Sequence, residues 1–274
     1  MKKKIAIQGI RGSNHYKALT ELFNEAEVEA LECNTFQELV KAVVTGECEK
    51  AVMAIENSIA GSILPNYRLI LDHQLQVTAE HYLNISHNLV ALPGQDLTDL
   101  VQVKSHQMAL HQCSNFFSNH LHIHLIEDVD TALPAKIIAE HQLRGVGALV
   151  PKGSAELFQL TTLAEDVQNN SLNETRFVVV EKQAGTSLEA DKATIQFEMT
   201  HESGSLAKVL NTMAAHELNL SKIQSIPIPY DMWRYAFIVD LSFSNRLQFQ
   251  KAFSEISKIS INPTCIGQYK SGKS

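Results

Sequence analysis

The sequence predicts an α/β protein in which residues 192–274 form a separate, smaller domain. Three observations carry this. Short apolar runs alternate with amphipathic helical stretches through residues 1–183, the stretch Lys182–Asp191 is small and polar, and beyond it the order of elements changes. Strand–helix alternation predicts largely parallel sheets covered by helices, and a polar, small-residue stretch makes a linker.

The first element is Lys3–Gln8, a short apolar strand that runs into Gly9-Ile10-Arg11-Gly12-Ser13. Ala18, Leu19, Leu22 and Phe23 then recur at helical spacing. Phe36–Val44 reads as a second helix that ends near Gly46. Lys50–Ile55 is a buried strand, and Glu56-Asn57-Ser58 after it is a candidate helix start. Further strands are predicted at Leu89–Leu92, Val101–Val103, Ile123–Ile126, Val146–Val150 and Phe177–Glu181, with helices at Met108–Phe117, Thr131–Leu143 and Ala155–Phe158. Past the linker the rhythm is strand 193–200, helix 204–216, strands 222–228 and 234–243, helix 245–257 and strand 259–268. That βαββαβ order is the ferredoxin-like arrangement.

Composition narrows the function classes. The 274 residues are 45% hydrophobic and 19% charged, ordinary for a chain with a substantial core. A net charge of −7 argues against a nucleic-acid surface, since the one basic run is Lys2-Lys3-Lys4, read as a solvated end. Ile5-Ala6-Ile7 stops at Gln8-Gly9, too short for a signal peptide, and no window is apolar enough for a membrane span. Cys33, Cys48, Cys113 and Cys265 are scattered, with no Cys-x-x-Cys pair. A cytoplasmic location is therefore expected.

Four motifs bear on chemistry. Gly9-x-x-Gly12-Ser13, between strand and helix, offers backbone N–H groups and a hydroxyl to a carboxylate or phosphate, though a tight turn explains it equally well. Glu56-Asn57-Ser58 follows a buried strand at the mouth of a sheet, where open α/β folds place ligand groups; helix capping is the alternative. In Asn173-x-Thr175-Arg176-Phe177 the guanidinium is a fork for a carboxylate, the hydroxyl a donor and the ring a pocket wall. His120-x-His122-x-His124 would share one face of a strand, but it lacks carboxylate or cysteine partners, so no metal or cofactor is assigned.

Read in order, these pieces resemble the prephenate dehydratase family followed by an ACT regulatory domain. The further matches are Ile55-Glu56-Asn57-Ser58-x-x-Gly61-Ser62, Ile85-Ser86-His87-x-Leu89, Ser105-His106-x-x-Ala109-Leu110-x-x-Cys113, Thr131-Ala132 and Ala155-Glu156-Leu157-x-x-Leu160. The resemblance implies a bilobed catalytic domain over 1–183, similar to periplasmic solute-binding proteins, with an active site in its cleft, and an ACT domain over 192–274. The implied reaction is decarboxylation and dehydration of prephenate to phenylpyruvate in phenylalanine biosynthesis. Thr175 and Arg176 are expected to be catalytic, with Arg176 gripping the pyruvyl carboxylate. Ser13, Asn57, Ser58, Ser105, His106 and Phe177 are expected to bind substrate. Gly204, Ser205, Leu206, Asn219 and Leu220 are expected to bind phenylalanine between the protomers of a homodimer or homotetramer. The chain departs from the family where Ile10 and Arg11 replace Pro-Glu, and where Gln224 and Ile226 replace a Glu and an Arg. The competing reading is an intracellular, non-catalytic sensor of a small anionic metabolite or amino acid.

Overall fold

The computed structural model describes residues 2–183, 185, 187–200, 202–228 and 235–273. Residues 184 and 186 of the expected linker, and 234 at the expected start of a strand, lie outside them. The chain divides into two compact units, Met1–Ile63 with His81–Phe177, and Leu64–Glu80 with Val178–Ser274. The segment Leu64–Glu80 thus groups with the C-terminal residues, which differs from a single break near 183.

In chain order the elements up to the second strand of the first hairpin are β1 (Lys3–Gln8), α1 (Asn14–Leu22), β2 (Val28–Cys33), α2 (Phe36–Thr45), β3 (Lys50–Asn57) and β4 (Gly61–Ser62). Next come α3 (Leu64–Asp72), β5 (Gln76–Asn84), β6 (His87–Ala91), β7 (Gln102–His106), α4 (Gln107–Gln112), α5 (Ser114–Phe117) and β8 (His124–Asp128). Then follow α6 (Leu133–His141), β9 (Val146–Pro151), α7 (Ser154–Leu157), β10 (Thr161–Ala164) and β11 (Glu174–Glu181). One sheet has the order β2-β1-β3-β11-β5 with β4 on β3, and another the order β10-β6-β9-β7-β8.

Pairing is parallel between β1 and both β2 and β3, and between β7 and both β8 and β9. It is antiparallel where β6 meets β9 and β10, so the second sheet is mixed rather than parallel throughout. The uninterrupted apolar runs of β6 and β9 follow from burial on both faces. Leu89, Ala91 and Leu149 pack in one core cluster, while Val90, Leu92, Ala148 and Val150 pack in another, as period-two alternation requires. The first sheet is covered by α1, whose Ala18 and Leu19 join Ile5, Ile7, Val52, Ala54 and Phe177. Ser13 caps α1 and Thr35 caps α2, accepting from the N–H of Tyr16 at 3.2 Å and of Glu38 at 3.1 Å. The expected helix over Met108–Phe117 is broken at Cys113 into α4 and α5.

The second unit contains β12 (Lys192–Glu198), α8 (Ser205–Ala215), β13 (Asn219–Pro227), β14 (Tyr235–Ser242), α9 (Arg246–Ile259) and β15 (Ile261–Tyr269). Its sheet order β13-β14-β12-β15 and its antiparallel ladders give the βαββαβ, ferredoxin-like arrangement. Ala193, Ile195 and Phe197 alternate onto the face covered by Val209 and Met213 of α8 and Phe249 and Ile256 of α9. Within this unit Glu80 of β5 is fully buried, and Lys192 Nζ meets its two carboxylate oxygens at 2.9 and 2.8 Å. Among the described residues, no helix is long and apolar enough to cross a membrane.

Candidate active site

A cavity of about 350 Å³ lies in the first unit. The first sheet and its loops contribute Ser13, His15, Ala54, Asn57, Thr175 and Phe177 to its wall. The second contributes His87, His106, Gln112 and Asp130. The wall is mostly apolar, and none of its residues is an arginine or lysine.

Asn57 fixes the direction of the hydrogen bonds. It is the last residue of β3, and its Oδ1 accepts from the backbone N–H groups of Ile59 at 3.0 Å and Ala60 at 2.9 Å. Its amide nitrogen must then donate, and it reaches Thr175 Oγ1 at 2.9 Å and Asn173 Oδ1 at 2.7 Å. Asn173, completely buried, donates onward to Gln112 Oε1 at 2.9 Å. His87 Nε2 reaches the same oxygen at 3.1 Å and so is the protonated nitrogen of that ring. Two consequences follow. Thr175 accepts from Asn57, which leaves its own O–H to donate, and the amide NH2 of Gln112 is left facing away from its twice-occupied oxygen.

The first glycine of the loop, Gly9, makes room for Asp130. Gly9 has φ +88° and a Cβ there would stand 1.9 Å from Asp130 Oδ2, so only glycine admits this carboxyl. Asp130 is 6% exposed, and its Oδ1 accepts from the N–H groups of Ala132 and of Leu133, the latter at 3.0 Å. Burial raises the carboxyl above its usual range, opposed by those two N–H groups. His15 is buried against Phe177 and Phe36, with ring centroids 5.0 and 5.5 Å away, and its Nε2 accepts from Ala54 N–H at 3.3 Å. Burial depresses its pKa from 6.5 to about 3, so it is a neutral imidazole.

Of the residues singled out in the sequence, Ser13, Asn57, His106, Thr175 and Phe177 meet at this cavity. Ser58, Ser105 and Arg176 do not line it. Ser58 Oγ accepts from the Glu174 N–H at 2.9 Å, and the fully buried Ser105 donates to the Leu149 carbonyl at 2.8 Å. Arg176 sits between Thr175 and Phe177 on β11, and alternation turns it to the opposite face. There its guanidinium lies 3.7 Å from Glu56 and 6.0 Å from the centre of the Tyr82 ring. The Arg176 guanidinium therefore lies off the wall of this cavity. His120 and His122 precede β8, which begins at His124, so the three imidazoles do not share a strand face. No cluster able to hold a metal is found among the described residues. His15, His87, Gln112 and Asp130 were not singled out as ligand groups from sequence; only Gly9 hinted at Asp130, by keeping space for it.

In the second unit, Gly204 has φ 82° and leads into α8, and Ser205 Oγ donates to the Thr200 carbonyl at 2.9 Å. Leu206 and Leu220 pack on the core, and Asn219 opens β13 beyond the far end of α8.

The first unit is thus a mixed α/β unit whose mostly apolar cavity carries hydrogen-bond donors of fixed direction. Comparison with known proteins makes this specific. The prephenate dehydratase family model matches residues 5–185. The chain is 33% identical to arogenate dehydratase 2 of Petunia hybrida, over 98% of this chain and 72% of that protein; it spans 57% of an Arabidopsis thaliana arogenate/prephenate dehydratase. Its structure is similar to that of prephenate dehydratase from Arthrobacter aurescens in complex with L-Phe (TM-score 0.88, 25% identity, 98% and 90% of the two chains). It is also similar to GqqA, described as a quorum quenching acylase (TM-score 0.86, 25% identity, 99% of both chains). The chain belongs to the prephenate dehydratase family. It is a dehydratase enzyme of phenylalanine biosynthesis.

Proposed function

We propose that the chain converts prephenate to phenylpyruvate in the cavity around Thr175. The C–C bond to the ring carboxylate breaks, its electron pair becomes a ring double bond, and the C–O bond to the ring hydroxyl breaks with its pair on oxygen. One proton is taken up, and CO2 and water leave. The reaction needs a pose for a dianion and a proton for a poor leaving group; general acid help is worth about 10²–10⁴-fold. The observation that carries the assignment is the fixed direction of the Asn57–Thr175 hydrogen bond, which turns the hydroxyl proton of Thr175 outward. A donor that itself accepts a hydrogen bond is polarised by it. Thr175 relays the proton from water or from His106, which is on the same wall.

The ring carboxylate belongs in the apolar part of the cavity, beside Phe177, Ile85, Ile63 and Ala54, where little holds it in the ground state and its loss as CO2 is favoured. Arg176 is assigned a positioning role: with Glu56 it joins β11 to β3 behind Thr175. Acyl transfer, the activity named for GqqA, would need an activated nucleophile. Ser13 Oγ is occupied as a helix cap and Ser105 Oγ by a carbonyl, so no observation favours it.

Residues 192–274 of the second unit are proposed to form an ACT domain that binds phenylalanine at Gly204, Ser205, Leu206, Asn219 and Leu220. The eleven-residue α8 separates the first three from the last two by roughly 16 Å at 1.5 Å per residue. A two-fold partner brings one group of each protomer beside the other, so a homodimer, or a tetramer of two such pairs, completes the site. Purified protein incubated with prephenate, followed by detection of phenylpyruvate, tests the reaction; folded protein yielding none would refute it.

A further inference from the structure

The polar groups around Thr175 and Phe177 are turned so that they donate. Asn57 Oδ1 is taken by two backbone N–H groups, Gln112 Oε1 by Asn173 and His87, and Thr175 Oγ1 by Asn57. Asn57 spends both of its N–H groups on Asn173 and Thr175, and what Gln112 and Thr175 have left for a ligand is N–H or O–H. The imidazoles repeat the pattern. His106 Nδ1 accepts from the Met108 N–H at 3.2 Å, so its proton lies on Nε2. His15 Nε2 accepts from the Ala54 N–H, so its proton lies on Nδ1, for which the described residues supply no partner. His87 Nδ1 does keep a lone pair without a partner, but that atom is closed off from the cavity space by burial. The wall's one carboxyl, Asp130, spends Oδ1 on two N–H groups, while its Oδ2, beside Gly9, stays an acceptor, so the donor bias holds around Thr175 and Phe177 and does not extend to Asp130. Gln8 and Asn14 are amides that can turn either end to the cavity, so the bias rests on the groups whose orientation the backbone fixes.

We propose that His15 is a specificity-determining residue that contacts the side-chain end of the substrate and, as a donor without an acceptor, selects an α-keto acid over its α-amino counterpart. This rests on the dehydratase reading above. Thr175 and Phe177 are two residues apart on β11, roughly 7 Å at strand rise. With the leaving hydroxyl at Thr175, the opposite end of the molecule reaches the His15 ring, which packs edge-on to Phe177. A keto or carboxylate oxygen accepts the Nδ1 proton. The ammonium of arogenate, which prephenate lacks, brings donors to a donor and would lose its water without replacement. The depressed pKa of His15 keeps it from becoming a cation that would hold both substrates by charge alone.

The test compares kcat/KM for prephenate and for arogenate in the wild-type protein and in His15→Asn. An Asn amide reaches the position of Nδ1 with either a donor or an acceptor. Expected is a wild-type preference for prephenate of about 10²-fold or more, falling at least tenfold in the variant. An unchanged ratio in a variant active on prephenate, or a wild-type preference for arogenate, overturns the proposal. Wild-type protein inactive on both substrates overturns the dehydratase reading itself and this inference with it. A second measurement does not depend on the variant folding. Long-range ¹H–¹⁵N correlation on the wild-type protein should place the His15 proton on Nδ1 and shift that resonance on saturation with phenylpyruvate; an Nε2–H tautomer or an unmoved signal contradicts the proposal.

Discussion

Asn57 sets the direction of the side-chain hydrogen bond that reaches Thr175 Oγ1, so the chemistry proposed for the cavity depends on these two residues. Thr175→Ala removes one hydroxyl and leaves the fold intact. Turnover should fall by about 10²-fold or more with little change in KM, because the donor is needed mainly in the transition state; near-normal turnover would remove Thr175 from the chemistry. Asn57→Ala also strands the N–H groups of Ile59 and Ala60, so it should cost both turnover and about 1–3 kcal/mol in denaturant titration. His15 gives a pH signature. Above pH 6.5 it is neutral folded and unfolded, but below that the unfolded chain binds a proton that the folded ring refuses until about pH 3. Stability should decline through this window by up to about 1.4 kcal/mol per pH unit, and the decline should be shallower in His15→Asn; equal slopes would count against the buried neutral ring. Asp130, whose folded carboxyl holds its proton to higher pH, offsets part of that loss. Thr175, Phe177 and Asn57 were legible because their motifs are local strings. His15, Gln112 and Asp130 were not, since each reaches the cavity through tertiary contacts that no neighbouring residue announces. Arg176 stands off the cavity wall for a reason visible in the string itself: consecutive residues of a strand face opposite ways.

At the scale of elements, the βαββαβ order and most strands of the first unit could be read from periodicity. β2, β5 and β10 were missed because each carries polar residues among its apolar ones. The allegiance of Leu64–Glu80 was also hidden, although two glycines near the C-terminus are a trace of it. A Cβ at Gly267 would stand 2.1 Å from the Val77 carbonyl oxygen, and one at Gly272 would stand 2.6 Å from that of Glu80. Only glycine lets β5 approach so closely. The same contact buries the Glu80–Lys192 pair, supported by the Gly272 N–H at 3.0 Å from Glu80 Oε1. Lys192→Met should leave a buried carboxylate without its cation and cost about 3–5 kcal/mol, and adding Glu80→Leu should recover much of it. If Lys192→Met is as stable as the wild type in thermal denaturation, the pair is not the tie described here.

For the molecule as a whole, the claims are a catalytic cavity in the first unit and an amino-acid site completed by pairing of the second. Ile226, standing where the family carries an arginine, is buried, and Gln224 is half-buried with its amide on the Ser225 carbonyl. Backbone recognition of phenylalanine does not depend on either side chain, so calorimetry should show binding and an activity titration should show inhibition. A tenfold preference for the less active state corresponds to about 1.4 kcal/mol of coupling; no heat and no inhibition at millimolar phenylalanine would leave this unit an assembly module. The most direct test of the central claim is turnover of prephenate by the wild-type protein and by Thr175→Ala, with both shown to be folded. The wild-type enzyme should form phenylpyruvate, CO2 and water, and the variant should be slowed by about 10²-fold or more. Folded wild-type protein that forms no phenylpyruvate, or a variant as fast as the wild type, would contradict the claim.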